Sequence, residues 1–154
     1  MKPTHKLIAA ACACAALMMS GASQAADSHV ITVNATVAGT CKFNSAASTV
    51  NMTLDPTAAG VVTQTGSVQY RCTNGTTPAF ALESGSTGST TGGNLVNGAE
   101  SIPYTFSSVS GGNGTGMAAG QEKTLSVTVS VNQTAAANVS ALTYSDTITI
   151  DLTP

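Results

Sequence analysis

The chain has 154 residues, of which 42% are hydrophobic and only 8% charged, with a formal net charge of −2 and no Trp. Beyond the first 25 residues three basic side chains, Lys42, Arg71 and Lys123, face seven acidic ones, a net charge of −4. Phosphate binding needs a basic surface, so nucleic acid is excluded as a partner class; what fills the remainder is Thr, Ser, Asn, Gly and Ala, a neutral polar surface suited to packing against copies of itself.

The opening segment reads as a secretory signal. Lys2 and Lys6 form a positive start, "LIAAACACAALMM" is an apolar run too short to span a bilayer, and "SGASQA" offers small residues for cleavage after Ala25 or the adjacent Ala26. The rival reading, a lipoprotein signal acylated at Cys12 or Cys14, lacks a Leu three residues ahead of either cysteine. No other segment approaches the roughly 20 apolar residues of a spanning helix. About 129 residues remain, the size of one domain.

The first run past the leader, "HVITVNATVAGTCKF" at 29–43, alternates Ile31, Val33, Ala35 and Val37 with Thr32, Asn34 and Thr36, the pattern of a strand with one apolar face. Next, "STVNMTL" (48–54) places Val50, Met52 and Leu54 on one face, and "SVQYRC" (67–72) does the same with Val68, Tyr70 and Cys72. "AFALES" (79–84) offers Phe80 and Leu82, and "SIPYTFSS" (101–108) offers Ile102, Tyr104 and Phe106. "TLSVTVSVNQ" (124–133) points Leu125, Val127, Val129 and Val131 inward, and "LTYSDTITIDLTP" (142–154) does so with Ile148, Ile150 and Leu152. Turn-rich stretches such as "GSTGSTTGGN" and "SGGNGTG" separate them, the latter read as a flexible hairpin loop, and no run carries a useful helical period. Short alternating strands between turn signals predict an all-β sandwich of immunoglobulin-like architecture, without the buried Trp of antibody-type domains. The last predicted strand is followed only by "TP", so the sandwich is expected to keep an unclosed edge there.

Cys41 and Cys72 are the two cysteines left after the leader, and in an oxidising compartment they allow one intramolecular pairing. A zinc site would want more ligands, and His29 is the one histidine beyond the leader. That lone histidine gives a nucleophile no partner. Asp55, Glu83, Glu100, Glu122, Asp146 and Asp151 are scattered through turns and strand ends and read as solvated or turn-forming carboxylates. "GGNGTG" precedes no helix and lacks the Lys-Ser/Thr end of a phosphate loop. Asn-x-Ser/Thr triplets start at Asn34, Asn51, Asn74, Asn113, Asn132 and Asn138, as a chain rich in Thr and Asn produces by chance. Lys42 and Lys123 sit beside polar residues, so neither is expected to point inward toward an isopeptide partner. Neither an enzyme nor a cofactor or metal site is expected.

The alternating strand that leads into Cys41, the "LDP" turn at 54–56, "GSVQYRCTNGT" around Cys72 and "YSDTITIDL" near the end together resemble the spore coat protein U domain family, which includes subunits of archaic chaperone-usher pili. The order covers the whole chain past the leader, and Tyr-x-Asp-Thr before an alternating strand is its most specific part. Two departures are the absence of an Arg-Met pair in "GGNLVNGAESIPYTF" and a chain that ends in "TP" rather than an aromatic residue. The resemblance implies an incomplete immunoglobulin-like β-sandwich that lacks its last strand and is completed by donor-strand exchange. It divides the chain into a signal at 1–25, a donor-strand extension at 26–39 and a pilin domain at 40–154. Ile31, Val33, Ala35 and Val37 are the expected donor face, and Ile148, Ile150 and Leu152 the expected wall of the acceptor groove. Implied partners are neighbouring pilin subunits, a periplasmic chaperone and an outer-membrane usher. The product would be a surface pilus, reached through the periplasm, that supports adhesion and biofilm formation.

Two other classes remain at this stage. One is a secreted, self-contained coat protein whose opening strand closes its own sandwich. The other is a small adhesive or glycan-binding module, which would need aromatic side chains exposed in loops.

Overall fold

Alternation in the sequence becomes alternation in burial. Lys123–Asn132 is the clearest case: Leu125, Val127, Val129 and Val131 are buried while the Ser and Thr between them face outward. A strand with period two can bury one face only against a second layer, and the remaining strands supply that layer. In this computed structural model, which describes residues 27–46 and 48–154, seven strands form: β1 (Cys41–Phe43), β2 (Val61–Cys72), β3 (Ala79–Ser84), β4 (Gly92–Asn97), β5 (Glu100–Val109), β6 (Lys123–Asn132) and β7 (Ile148–Thr153). A 3-10 turn, Gln133–Ala136, follows β6, capped by the Asn132 side chain accepting from the Thr134 amide. The predicted signal, with Cys12 and Cys14, lies outside the described residues.

Five strands make one antiparallel sheet in the order β1-β2-β6-β5-β4, and β3 with β7 makes a second sheet of two. Between them sit Tyr70, Leu82, Ile102, Tyr104, Phe106 and the inward residues of β6. Tyr70 and Leu125 are fully buried, and Tyr70 meets Phe80 edge-on at 5.0 Å, joining the two sheets across the core. Burial of an aliphatic side chain of this kind stabilises by about 1.5–3 kcal/mol. The architecture is the all-β sandwich that the alternation predicts. The chain divides into two units, residues 1–35 and Thr36–Pro154. All seven strands belong to the second unit. Residues 27–35 carry no regular structure.

Several boundaries differ from those expected. Residues 48–54 form no strand. They keep the alternation, with Val50, Met52 and Leu54 half-buried against the core, but among the described residues no backbone hydrogen bond ties them to either sheet. β2 starts at Val61 rather than Ser67, because β6 pairs with it over ten positions from Val61↔Asn132 to Tyr70↔Lys123 and carries the polar run along. β4 arises in a stretch that reads as turn. Its glycines are required there by close approach: a Cβ on Gly92 would run into the Tyr104 carbonyl, and one on Gly93 into the Ser84 hydroxyl.

β7 begins only at Ile148, since the preceding residues are held by side chains and by a single bridge between Val96 and Ser145. The "SGGNGTG" loop is pinned rather than flexible. The Tyr70 hydroxyl donates to the Gly112 carbonyl at 2.7 Å, the Gly75 amide donates to the Gly114 carbonyl, and the Gly114 amide to that of Thr76. Buried Gly114 packs on Cys72, so this loop covers the cysteine pair.

Candidate functional site

Cys41 and Cys72 face each other across β1 and β2 and form a disulfide. Backbone and side-chain bonds between Thr40 and Thr73 extend that junction by one residue: the Thr73 amide donates to the Thr40 carbonyl at 2.9 Å and the Thr40 amide to the Thr73 hydroxyl at 3.1 Å. The chain entering β1 is therefore fastened to β2 covalently and by hydrogen bonds.

Ahead of that junction, residues 27–40 form no strand. Val30, Ile31, Val33 and Val37 are 81–90% exposed, and Ala35 is exposed as well. Four large aliphatics exposed within eight residues make a concentrated apolar stretch, whereas the other exposed large aliphatics, Val61, Val96, Val109 and Leu142, are scattered singly along the chain. His29 is exposed, with its Nε2 3.6 Å from a carboxylate oxygen of the equally exposed Asp27.

In the second unit the two sheets do not close along one side. β7 hydrogen-bonds to β3 along one edge, and no strand is hydrogen-bonded to its other edge among the described residues. Facing it is the run 48–54, extended and without ladder partners. Between these two rims lies a cavity of about 480 Å³. Its floor is the inner face of the large sheet, with Val68, Val127 and Val129, and its rims carry Val50 and Met52 on one side and Ile148 and Ile150 on the other. A second cavity of similar volume shares Val50, Met52, Leu95 and Tyr144 with the first and continues it toward Leu142. Together they form an apolar trough. Of the residues expected to wall a groove, Ile148 and Ile150 line it. Leu152 lies outside the lining, opposite Phe80 and partly buried on the core.

A polar cluster fixes the end of the β7 rim. One oxygen of Asp146 accepts from the hydroxyls of Ser84, Ser86 and Tyr104, each at 2.7 Å, and the other accepts from the Thr147 amide at 2.8 Å. The Gly85 amide donates to the Thr147 carbonyl, and the Ser86 hydroxyl also accepts from the Asn94 amide. Burial pushes the Asp146 carboxyl up, but the hydrogen bonds from Ser86, Ser84, Tyr104 and Thr147 outweigh it and hold the group below the usual carboxylate range. The Tyr104 phenol is pushed up to about 12, first by burial and then by the bond to and charge of Asp146. Two residues earlier, Tyr144 donates to Glu100, which also accepts from the amide and hydroxyl of Ser140. The Tyr144 hydroxyl bond, ahead of the two from Ser140, lowers the Glu100 carboxyl.

The Tyr-x-Asp-Thr pattern is thus explained by anchorage. Tyr144 ties the chain to β5, Asp146 ties it to β3 and β5, and the next residues leave as β7. Of the six acids expected to be solvated or turn-forming, Glu83 and Asp151 are exposed and Asp55 accepts from the amide and hydroxyl of Thr57, whereas Glu100, Glu122 and Asp146 are held by side chains from elsewhere in the fold. Sequence reasoning also missed the ion pair of Arg71 with Glu122. The floor residues Val68, Val127 and Val129 were legible as inward, but alternation alone does not distinguish a floor from a closed core. The six aromatic residues are all buried or half-buried, and among the described residues no cluster of three metal-ligating side chains occurs.

The family model described as Spore Coat Protein U domain matches residues 27–151. Among solved structures, the chain is similar to a crystal structure of the CsuC-CsuE chaperone-tip adhesion subunit pre-assembly complex from archaic chaperone-usher Csu pili of Acinetobacter baumannii, at 16% identity and a TM-score of 0.40. The match covers 76% of this chain and 40% of the length of that one. Comparison with curated proteins gives no match.

Proposed function

We propose, from the premise that this chain belongs to the Spore Coat Protein U domain family, that it is a structural subunit of a bacterial surface pilus, joined to its neighbours by donor-strand complementation. One observation carries this reading: the chain presents an unpaired apolar trough and, separately, an unpaired apolar segment of strand pattern. An extended peptide added to an exposed sheet edge gains main-chain hydrogen bonds from the edge and specificity from pockets that take alternate side chains. The edge here is β7 and the pockets are bounded by Val50, Met52, Ile148 and Ile150. The donor is the segment around Ile31, Val33, Ala35 and Val37 of the next copy.

One chain's excess then fills the next chain's deficit, and a head-to-tail contact of this kind does not close on itself. It generates a filament. Burial of three aliphatics of the donor at about 1.5–3 kcal/mol each, with a ladder of main-chain bonds, makes the joint substantial. Before assembly the trough would need a temporary occupant, which is the role of a periplasmic chaperone, and an outer-membrane usher would carry the subunit to the cell surface. Adhesion and biofilm formation are the roles such a fibre would serve. A glycan module would display aromatic side chains, and none of the six aromatics is exposed here.

The test is Val33→Asp beside Thr32→Asp. An unpartnered carboxylate in an apolar trough costs several kcal/mol, so Val33→Asp should abolish filaments while the chaperone-bound subunit persists. Thr32→Asp, on the opposite face, should assemble nearly as the parent does. Filament yield by electron microscopy and the amount of periplasmic chaperone complex are the readouts. Normal filaments from Val33→Asp would show that this segment does not join the subunits.

A further inference from the structure

Gly66 lies in the middle of β2, opposite Val127 of β6, with its neighbours paired on both sides. A glycine there weakens the strand, since it orders a flexible backbone and packs no side chain. Conformation does not require it: Gly66 is absent from the positive-φ glycines. Space does. It is buried on the inner face, in step with Val68 and Tyr70, and lines the trough. A Cβ at this position would come within 2.8 Å of Val50 Cγ2 and 3.0 Å of Ser48 Oγ. The run 48–54 thus rests on the floor of the trough at the one inner position of β2 that has no side chain.

We propose that Gly66 is a positioning residue for strand uptake: it seats the run 48–54 low against the sheet, and that seat sets the height of one rim of the trough. The proposal rests on the reading of the trough as a strand acceptor. The mechanical reasoning follows from what holds each element. β2 is paired with β6 over ten positions, whereas the run 48–54 has no backbone hydrogen bond to either sheet among the described residues. A methyl group forced between them therefore moves the run and leaves β2 in place. Val50 and Met52, which point into the trough, move with it. The rim rises out of line with β7, and an incoming strand seated along β7 loses the apolar wall opposite.

Gly66→Ala is the decisive variant, with Val50→Ala as its partner. In a chain of residues 27–154, binding of a fluorescent peptide of residues 27–39 should weaken by about tenfold in Gly66→Ala, the loss of roughly one wall contact. Val50→Ala removes the methyl that would collide, so the double variant should recover to within about threefold of the parent, a coupling expected of residues in direct contact. Amide exchange at 48–54 should accelerate in Gly66→Ala and return in the double variant, while β6 stays unchanged. Val50→Leu crowds the same contact from the other side without touching β2, so it decides the matter if Gly66→Ala fails to fold. It too should weaken uptake. Equal binding by parent and Gly66→Ala, or a loss that Val50→Ala does not repair, would overturn the proposal. Failure of the parent itself to take up the peptide would overturn the acceptor reading instead, and amide exchange at 48–54 would then still report whether Gly66 seats the run.

Discussion

β6 and the run 48–54 obey the same rule of alternation and meet opposite fates. In β6 every second residue is buried, and both edges are bonded, to β2 on one side and β5 on the other. In 48–54 every second residue is half-buried and neither edge is bonded to a sheet among the described residues. Alternation reports which face is apolar. It says nothing about whether an edge has a neighbour, and in this molecule the edges decide what is scaffold and what remains available.

A carboxylate tests the two regions most harshly. Leu125→Asp places an unpartnered charge at a fully buried site of β6 outside the trough lining, a cost of several kcal/mol, comparable with the whole stability of a small domain. The variant should not accumulate as folded protein, as judged by circular dichroism and protease resistance. The matching change on the rim, Val50→Asp, meets the trough rather than a closed core and should leave a folded, cooperative chain. Equal loss at both sites would erase the distinction between scaffold and rim.

Removing the disulfide as the pair Cys41→Ala and Cys72→Ala sharpens the comparison at the next level. The bridge spans a separation of 31 residues, which on the chain-entropy estimate stabilises by about 3.5 kcal/mol. The melting temperature of the whole domain should fall. Since the bridge joins β1 to β2 and neither cysteine lines the trough, peptide uptake at a temperature where the variant is folded should be nearly unchanged.

The smallest effect concerns acid. Asp146 titrates below its unfolded value of about 3.8, so its bonds stabilise the fold above that pH, and the stabilisation is lost as pH falls through the lower folded value. Asp146→Asn should therefore be less stable than the parent at neutral pH and show a flatter decline below about pH 4 in urea titrations. The β7 rim should respond and β6 should not, which amide exchange at Ile148–Thr153 and Lys123–Asn132 resolves. A parent whose β7 exchange is indifferent to acid would remove Asp146 as its anchor.

Much of the sandwich was legible because period two is a strong signal when hydrophobic residues are β-branched or aromatic, as in β6 with Val127, Val129 and Val131. β4 was not, because its glycines look like a turn and their reason, the Tyr104 carbonyl and the Ser84 hydroxyl, lies elsewhere in the chain. The anchors of β7 were hidden for a related reason. Asp146 meets Ser84 and Ser86 across about 60 residues of sequence, and nothing in a list of scattered acids tells a solvated carboxylate from one holding three hydroxyls. Of the trough, alternation offered an unclosed edge at the last strand and the family resemblance a groove beside it; its rims come from elements nearly 100 positions apart, at Val50 and Ile148.

The junction of Cys41 with Cys72 also settles where a pulling force would go. Tension applied through residues 27–40 reaches the fold at β1, three residues long and able on its own to peel away one bond at a time. The covalent bridge passes that load at once into β2, whose ten paired positions with β6 lie along the strand and share it in shear. A short strand that would otherwise act as a zipper tab is thereby turned into a rivet, and the weakest element of the large sheet ceases to be its weakest link.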